Sequence, residues 1–405
     1  MGASLGPGIV IVGLGPAAVN ALEGIRSQDV DVPVTILSQE PYYAYYRPRL
    51  SHLLGEEVSS ESLAIKKPQW YEERNAQVLL GQTAKTINVD RKTVSLDNGS
   101  ELSASSVILA CGSSPFVPPL SGLDRENVFS LRTVDDARAI SSACETAKTV
   151  CVVGAGPLGL EAAWALAKRD LEVHLLEHGS RLLSKMLDQN ASRMLAEIVE
   201  SAGIVLHLSA FSEALFPGGI RLAGGEEIPG EVILFSTGVR PNLDVPRSAG
   251  LKINRGVEVD KLMRTSTPWI YAAGDVAEFE GSVGGILPVA VAQGKVAGVN
   301  AAGGQEEYVA VPPSYTLMVM GTRLFSVGDV QDGPDVTSIV DVDYDSRVYR
   351  KLVLSGDKVV GGILFGDIAG SDKIRRAVEE GVQLPGAAKE SVPDYASLLD
   401  MIVRD

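Results

Sequence analysis

The chain has 405 residues, and at roughly 150 residues per domain this length predicts two or three domains. Its formal net charge of −15 makes nucleic acids and anionic membrane surfaces poor partners. The three cysteines show no metal-ligand spacing, and no basic leader or long apolar run precedes Glu23, so we expect a cytoplasmic protein without disulfides or a metal site. Glycine is unusually frequent at 42 residues, which indicates that the backbone closely approaches another group in several places.

The same order of strand, helix and strand occurs twice in the first half of the chain. The elements cover residues 9–12, 17–26 and 32–37, and then residues 150–153, about 158–169 and 172–176. Because strands and helices alternate, we predict a mostly parallel sheet in each copy.

The pattern changes near residue 311, where neighbouring strands replace the alternation. Strands are predicted over residues 316–320, 323–327, 337–342, 347–354 and 358–365, and a helix over about 371–380. A run of strands followed by a helix predicts a separate α+β domain.

Each repeated unit carries a glycine-rich turn between its first strand and its helix. The motifs G-x-G-x-x-A and G-x-G-x-x-G are typical of turns whose backbone amides bind the pyrophosphate of a dinucleotide. Their predicted binding residues are Gly13, Gly15, Pro16 and Ala17 in the first unit, and Gly154, Gly156, Pro157, Leu158 and Gly159 in the second. Two tight turns that bind nothing are the alternative.

An acidic residue about twenty positions after such a motif holds the adenosine ribose. Glu177 ends the second strand of the later unit, and its carboxylate favours NADH over NADPH, although Arg181 and His178 nearby weaken that preference. Glu40 is the candidate in the earlier unit, with a solvated loop glutamate as the alternative.

Three further segments, residues 108–112, 236–242 and 265–275, resemble patterns of the pyridine nucleotide-linked flavoprotein reductases with the glutathione-reductase fold. The resemblance implies FAD in the first unit and NADH in the second. It also implies cofactor-binding roles at the ends of strands, with the carboxylate of Asp275 on the flavin's ribitol and phosphate. These residues are Ala110, Gly112, Gly238, Gly274 and Asp275.

The resemblance is strongest to NADH:rubredoxin oxidoreductases and the NADH-accepting segment of nitrite reductases, through residues 45–51, 70–72 and 238–244. It implies an α/β fold with two Rossmann-like domains, the NAD domain being inserted in the FAD domain, plus the C-terminal α+β domain. The predicted domains are residues 1–114 with 242–310 for FAD, 115–241 for NAD(H) and 311–405 for the C-terminal domain.

Disulfide-reducing relatives carry cysteine on the helix after the first unit, but this chain has none before Cys111. The resemblance therefore implies that hydride passes from NADH to FAD, and that electrons then pass to an external acceptor. The expected acceptor is a small acidic carrier of the rubredoxin or ferredoxin type. An NADH oxidase that reduces oxygen and a flavin-bound NADH sensor are the alternatives, and the protein is a monomer or a homodimer.

Two predicted catalytic residues come from the same resemblance. Glu161 matches a glutamate that forms an ion pair near the flavin with a lysine, and His52 stands where that lysine is found. A contact between them would depend on pH near neutrality, and an ordinary surface histidine is the alternative.

Basic side chains are the candidates for phosphate and carrier contacts. Arg47, with Pro48, is predicted to contact the flavin pyrophosphate. An acidic carrier needs a local basic patch, and the candidates are Arg47 with Arg49, then Arg347 with Arg350 and Lys351, and then Lys373 with Arg375 and Arg376. Solvated charges without a partner are the alternative for each group.

Overall fold

The computed structural model describes residues 7–55, 58–384 and 395–402. Its strands, numbered β1 to β25 in chain order, are Gly8–Val12, Val34–Ser38, Ala76–Leu80, Ala84–Asn88, Thr93–Leu96, Glu101–Leu109, Ser113–Pro115, Val128–Ser130, Thr149–Val153, Glu172–Glu177, Val205–Leu208, Ser212–Phe216, Gly219–Leu222, Glu227–Pro229, Val232–Phe235, Val239–Pro241, Val257–Val259, Ile270–Ala272, Ala277–Phe279, Ser282–Val283, Ser314–Val319, Thr322–Gly328, Thr337–Asp343, Val348–Ser355 and Lys358–Gly366. Its helices, α1 to α10, are Pro16–Gln28, Ser51–Leu54, Pro68–Glu72, Val134–Ala143, Pro157–Ala167, Gln189–Ser201, Asp244–Ser248, Leu287–Ala301, Ser371–Glu380 and Tyr395–Met401.

The chain divides into two compact units, each built from separate stretches. Unit 1 contains residues 1–47, 59–114 and 239–311, and unit 2 contains residues 48–58, 115–238 and 312–405. Unit 1 overlaps most of the predicted FAD domain, but residues 48–58 belong to unit 2, and residues 239–241 and 311, predicted for the other two domains, belong to unit 1. Unit 2 holds the predicted NAD(H) and C-terminal domains together, and the division into three domains stays a prediction.

Unit 1 is organised around a sheet in the order β3-β2-β1-β6-β5-β4, with β18 paired to β6. Strands β1, β2, β3, β6 and β18 run parallel, as the sequence predicted, and β4 and β5 are antiparallel additions. Because β1, β6 and β18 are parallel neighbours, their carboxyl ends meet at one edge, where Val12 pairs with Leu109 and Leu109 with Ala272.

Helices α1 and α8 pack on this sheet with their backbones in very close contact. A Cβ atom added at Gly294 would lie 2.3 Å from the carbonyl oxygen of Ala17, and one at Gly298 would lie 2.0 Å from that of Ala21. Only glycine permits this approach. Some of the many glycines of the chain are therefore required by a helix–helix contact, which the sequence analysis did not predict.

Unit 2 contains a five-stranded parallel sheet in the order β11-β10-β9-β15-β8, with β12, β13 and β14 forming a small antiparallel sheet. Residues 312–384 add an antiparallel sheet in the order β21-β22-β25-β24-β23. Helix α9 covers one face of this second sheet through a buried core that includes Phe325, Leu354, Ile374 and Tyr395. The fold class predicted from the sequence is confirmed.

None of the helices within the described residues has the length and apolar character needed to cross a membrane.

Candidate functional site

The turn between β1 and α1 has the geometry of a phosphate-binding loop. Gly13 adopts a positive φ of 106°, and a Cβ atom there would lie 2.2 Å from the carbonyl oxygen of Ala110. At Gly15, in contrast, an added Cβ atom would meet no atom of the described residues within 4 Å. Tight packing within the chain thus explains Gly13 but not Gly15, and the open space at Gly15 fits a pyrophosphate that approaches the backbone.

The turn between β9 and α5 repeats this arrangement in unit 2. Gly154 has a φ of 102° and lies against the backbone of Ser236, whereas a Cβ atom at Gly156 would again meet nothing within 4 Å. At Gly159 a Cβ atom would lie 2.0 Å from the carbonyl oxygen of Gly154, so this glycine lets the helix pack on its strand. Each glycine of the motif therefore has a separate physical role.

Both helices begin at proline, with Pro16 and Pro157 in their first turns, and the predicted contacts Ala17 and Leu158 follow directly. Among the described residues, no side chain caps either helix. Uncapped amides at a helix N-terminus carry partial positive charge and attract anions. The two turns are therefore suited to bind the phosphates of two dinucleotides.

The carboxyl edge of the unit 1 sheet also carries Ala110, Gly112 and Asp275. The carboxylate of Asp275 accepts a hydrogen bond of 2.6 Å from the hydroxyl of Ser113. The backbone N–H of Gly274 donates to Oε1 of Gln293 on α8 over 2.9 Å. Ser113 and Gln293, which the sequence analysis missed, thus hold the segment that contains Asp275.

Glu40 and Arg47 lie together in unit 1. The guanidinium of Arg47 donates to Glu40 Oε1 over 2.6 Å and to the hydroxyl of Tyr45 over 2.9 Å, and that hydroxyl donates to Glu40 Oε2. Burial lowers the pKa of Arg47, but the nearby Tyr45, Glu40 and Asp275 raise that pKa overall. These contacts link Glu40 and Arg47 electrostatically to Asp275. Pro48, by contrast, belongs to unit 2.

Glu177 lies beside the second glycine-rich turn. Its Oε2 accepts a hydrogen bond from the N–H of Ala155 over 3.0 Å, and its Oε1 accepts one from the N–H of Gly179 over 2.7 Å. The first of these bonds connects the end of β10 directly to the glycine turn, and the second is local to the residues that follow β10. Gly238 ends a nearby segment of the same unit, where its carbonyl accepts from the N–H of Phe116.

Glu161 is a predicted catalytic residue whose carboxyl group has a raised pKa. Burial on α5 raises the pKa of Glu161 to about 7, and a 2.9 Å hydrogen bond from the Ser51 hydroxyl partly opposes that rise. Ser51 begins α2, which also carries His52 and packs against α4 and α5. Sequence analysis singled out His52 but missed its neighbour Ser51, whose contact with Glu161 the structure shows.

Helix α2 is fixed in unit 2 by Arg169. The guanidinium of this arginine donates to the carbonyl of Leu54 over 3.0 Å and to the hydroxyl of Ser141 over 2.9 Å. These contacts tie the end of α2 to α4 and to the residues after α5. They explain why residues 48–58 group with unit 2.

The basic side chains considered for carrier binding differ in their burial and in whether they form ion pairs within the chain. Lys351 is fully buried, so the prediction that it belongs to a surface patch was wrong. Arg350 forms ion pairs with Asp341 and Asp367, and Arg375 forms ion pairs with Asp372 and Glu379. Lys373 and Arg376 are exposed.

The three thiols have raised pKa values. Burial raises the pKa of Cys111 and of Cys151 to about 12 each, and it also raises the pKa of Cys144. Because the thiolate is the reactive form, these cysteines are poor nucleophiles at neutral pH.

Comparison with known proteins agrees with this geometry. The assimilatory nitrate reductase electron transfer subunit of Bacillus subtilis is 33% identical over 365 residues, which are 89% of this chain and 47% of that protein. The NADH-rubredoxin oxidoreductase of Clostridium acetobutylicum is 30% identical over 374 residues, which cover 92% of this chain and 94% of that protein. The chain spans about half the length of several of its curated relatives.

A crystal structure of NADH:rubredoxin oxidoreductase from Clostridium acetobutylicum superimposes with a TM-score of 0.80 at 28% identity, covering 97% of this chain and 99% of that one. Residues 313–382 match the rubredoxin NAD+ reductase C-terminal domain, and residues 7–297 match the pyridine nucleotide-disulphide oxidoreductase model. The chain therefore belongs to the pyridine nucleotide-disulphide oxidoreductase family, whose members are oxidoreductases that use FAD and NADH or NADPH.

Proposed function

We propose that this protein is an NADH-dependent flavoprotein reductase that delivers electrons to a small iron-containing carrier of the rubredoxin type. The observation that carries the proposal is the presence of two phosphate-binding turns, each with an open second glycine, in a chain that ends in a rubredoxin NAD+ reductase C-terminal domain. One turn serves FAD, and the other serves NADH.

FAD belongs to unit 1. The turn from Gly13 to Ala17 receives its pyrophosphate, with Arg47 contributing positive charge, and Glu40 and Asp275 bind its sugar hydroxyls. When bound, FAD supplies the chemistry that accepts a hydride from NADH and releases electrons to an acceptor. The residues of unit 1 orient it and hold its phosphates.

NADH belongs to the parallel sheet of unit 2. The turn from Gly154 to Gly159 receives the pyrophosphate, and Glu177 accepts hydrogen bonds from the adenosine ribose. A carboxylate at this position repels an additional 2′-phosphate, which supports NADH rather than NADPH as the substrate.

Glu161 and His52 are proposed to serve near the reacting groups. A carboxyl group with a pKa of about 7 exchanges a proton readily at neutral pH, and the Ser51 hydroxyl holds it by a hydrogen bond. Glu161 would therefore take up or release a proton as the charge of the site changes.

The carrier protein must collect electrons from the flavin without help from a thiol of this chain. No cysteine precedes Cys111 in the sequence, and burial keeps the thiols of Cys111 and Cys151 protonated at neutral pH. A rubredoxin-like carrier, which takes single electrons, suits this arrangement better than a disulfide substrate.

The test is anaerobic reduction of the purified yellow protein by NADH, followed by turnover with rubredoxin, with ferredoxin and with oxygen. We expect NADH to bleach the flavin and rubredoxin to give the fastest turnover, with a rate that falls as salt screens the carrier. Oxygen turnover equal to rubredoxin turnover would favour an NADH oxidase. Slow turnover with all acceptors would favour an NADH sensor.

A Glu177→Gln variant tests the choice of coenzyme separately. Loss of the carboxylate should raise the preference for NADPH relative to NADH. An exposed glutamate of the same unit, Glu200 on α6, provides the matched control as Glu200→Gln. An unchanged coenzyme ratio in the Glu177 variant would refute its assigned role.

A further inference from the structure

Lys351, in the middle of β24, has a side chain that is 0% exposed. Lysine is almost never buried so completely unless its charge is paired. The ammonium group lies 3.0 Å from Oδ2 of Asp188, which is itself only 5% exposed, and 2.8 Å from Oδ1 of Asp332. The hydroxyl of Tyr349, two residues earlier on the same strand, also donates to Asp188 Oδ2.

Asp188 is the N-terminal cap of α6. Its other oxygen, Oδ1, accepts a 3.0 Å hydrogen bond from the backbone N–H of Ala191. The carboxylate therefore joins the first turn of a helix in the NADH-binding part of unit 2 to a strand of the C-terminal sheet. Because both oxygens are used, the position of this helix N-terminus depends on β24.

The segment between Glu177 and α6, residues 178–188, is called here the coenzyme loop. Further hydrogen bonds from the C-terminal part of unit 2 hold its backbone. Ser326 on β22 donates to the carbonyl of Met186 over 2.6 Å, and Gln331 donates to the carbonyl of Ser184 over 3.2 Å. Ser326 and Lys351 both pair with Ile363 of the intervening strand β25, so they lie side by side on one face of the sheet.

Gln331 also fixes the position of the Arg181 side chain. Its guanidinium donates to the carbonyls of Ser184 and Leu187 within the coenzyme loop, and to Oε1 of Gln331 over 2.7 Å. An arginine near the adenosine ribose is the usual ligand of a 2′-phosphate. To serve NADPH, Arg181 would have to give up these three partners.

We propose that the C-terminal sheet sets the affinity and selectivity for NADH, with Lys351 and Gln331 acting as positioning residues. Lys351 holds the end of the coenzyme loop through Asp188. Gln331 holds the middle of the loop at Ser184 and keeps the guanidinium of Arg181 in a hydrogen bond with its own side chain. Glu177, immediately before the loop, is thereby kept against the glycine turn. The inference rests on the proposed role of Glu177 in binding the ribose.

Two variants of the flavin-loaded protein test the inference, Gln331→Ala and Lys351→Met. The control is Arg350→Met, which removes a neighbouring positive charge whose partners are Asp341 on β23 and Asp367, the residue after β25, and not residues of the coenzyme loop. Removing Lys351 leaves Asp188 buried without its partner, which is strongly destabilising. If Lys351→Met does not fold, Gln331→Ala decides the result.

The measurements are equilibrium binding of NAD+ and NADP+ and the steady-state constants with an artificial dye as acceptor. We expect NAD+ binding to weaken roughly 5- to 20-fold in both test variants, which lies in the lower part of the range of typical coupling between sites. The KM for NADH should rise in parallel while kcat stays within about twofold, since the reacting groups are untouched. In Gln331→Ala, affinity for NADP+ relative to NAD+ should rise because Arg181 is released.

Hydrogen exchange provides a readout that is independent of activity. Because coupling is reciprocal, NAD+ should slow amide exchange in β22 and β24 of the unmodified protein and do so less in the two test variants. Unchanged NAD+ affinity in folded variants, or equal weakening in Arg350→Met, would overturn the inference. If only Glu177→Gln failed to alter coenzyme binding, the assigned ribose contact would be wrong instead.

Discussion

Replacement of Glu161 by glutamine should make the protein more stable, and more so as the pH rises. Burial raises the pKa of Glu161 from 4.5 to about 7 despite the hydrogen bond from Ser51. The folded protein therefore retains a proton that the unfolded chain has already lost between these pH values. Stability falls as the pH rises through this interval.

The size of the effect follows from the shift. A difference of about 2.5 units at about 1.4 kcal/mol per unit corresponds to about 3 kcal/mol. This free energy opposes folding fully above about pH 7 and not at all well below pH 4.5. Glutamine carries no charge, so Glu161→Gln should gain about 3 kcal/mol at about pH 8 and less than about 1 kcal/mol at about pH 5.

Urea unfolding of the flavin-loaded protein at these two pH values measures the difference. Flavin absorbance confirms equal cofactor content, and Glu200→Gln controls for the loss of an exposed negative charge. A stabilisation that is the same at both pH values, or larger at the acidic one, would refute the reasoning about the buried carboxyl group.

Two further substitutions and one chemical-labelling experiment test the contact of Ser51, the packing of α1 on α8 and the burial of Cys151. Ser51→Ala removes a hydrogen bond that lowers the pKa of Glu161, so the upper limit of the pH interval in which stability falls should move upward, while the lower limit, set by the unfolded chain, stays near pH 4.5; an unmoved upper limit would contradict this. Gly298→Ala places a Cβ atom 2.0 Å from the carbonyl of Ala21, and should lower the free energy of unfolding in urea by about 1–3 kcal/mol or more, whereas unchanged stability would mean that α1 and α8 separate without strain. Cys151, with a pKa raised to about 12, should react with iodoacetamide at about pH 8 roughly 1,000-fold more slowly than an ordinary thiol, as followed by mass spectrometry, and a comparable rate would show that the thiol is accessible.

The conformation of the two glycine-rich turns could be predicted from the sequence because the physics that creates it is local. Gly13 and Gly154 are required by the sharp turn between a strand and a helix, and the apolar runs before them are short and clear. Glu177 was found for the same reason, since it ends the strand that follows. Motifs within one strand–helix–strand unit need no information from elsewhere in the chain.

Contacts between distant residues could not be predicted in this way. Ser51 meets Glu161 across 110 positions of sequence, and nothing near Ser51 indicates that α2 packs in unit 2. For Lys351 a signal was available. Successive residues of a strand face opposite sides of the sheet, so Arg350 and Lys351 could not share one basic patch.

The packing of α1 on α8 has a consequence for how the protein is made. A Cβ atom at Gly24 would lie 2.3 Å from the carbonyl of Lys295, so the helix that follows the first strand finds its partner only in residues 287–301. Most of unit 2 is synthesised between these two helices. The close contact of α1 with α8 can therefore form only after most of unit 2 has been synthesised. Completion of the core that α1 and α8 share is therefore a late step of synthesis, and the glycines at this contact matter only once α8 has formed.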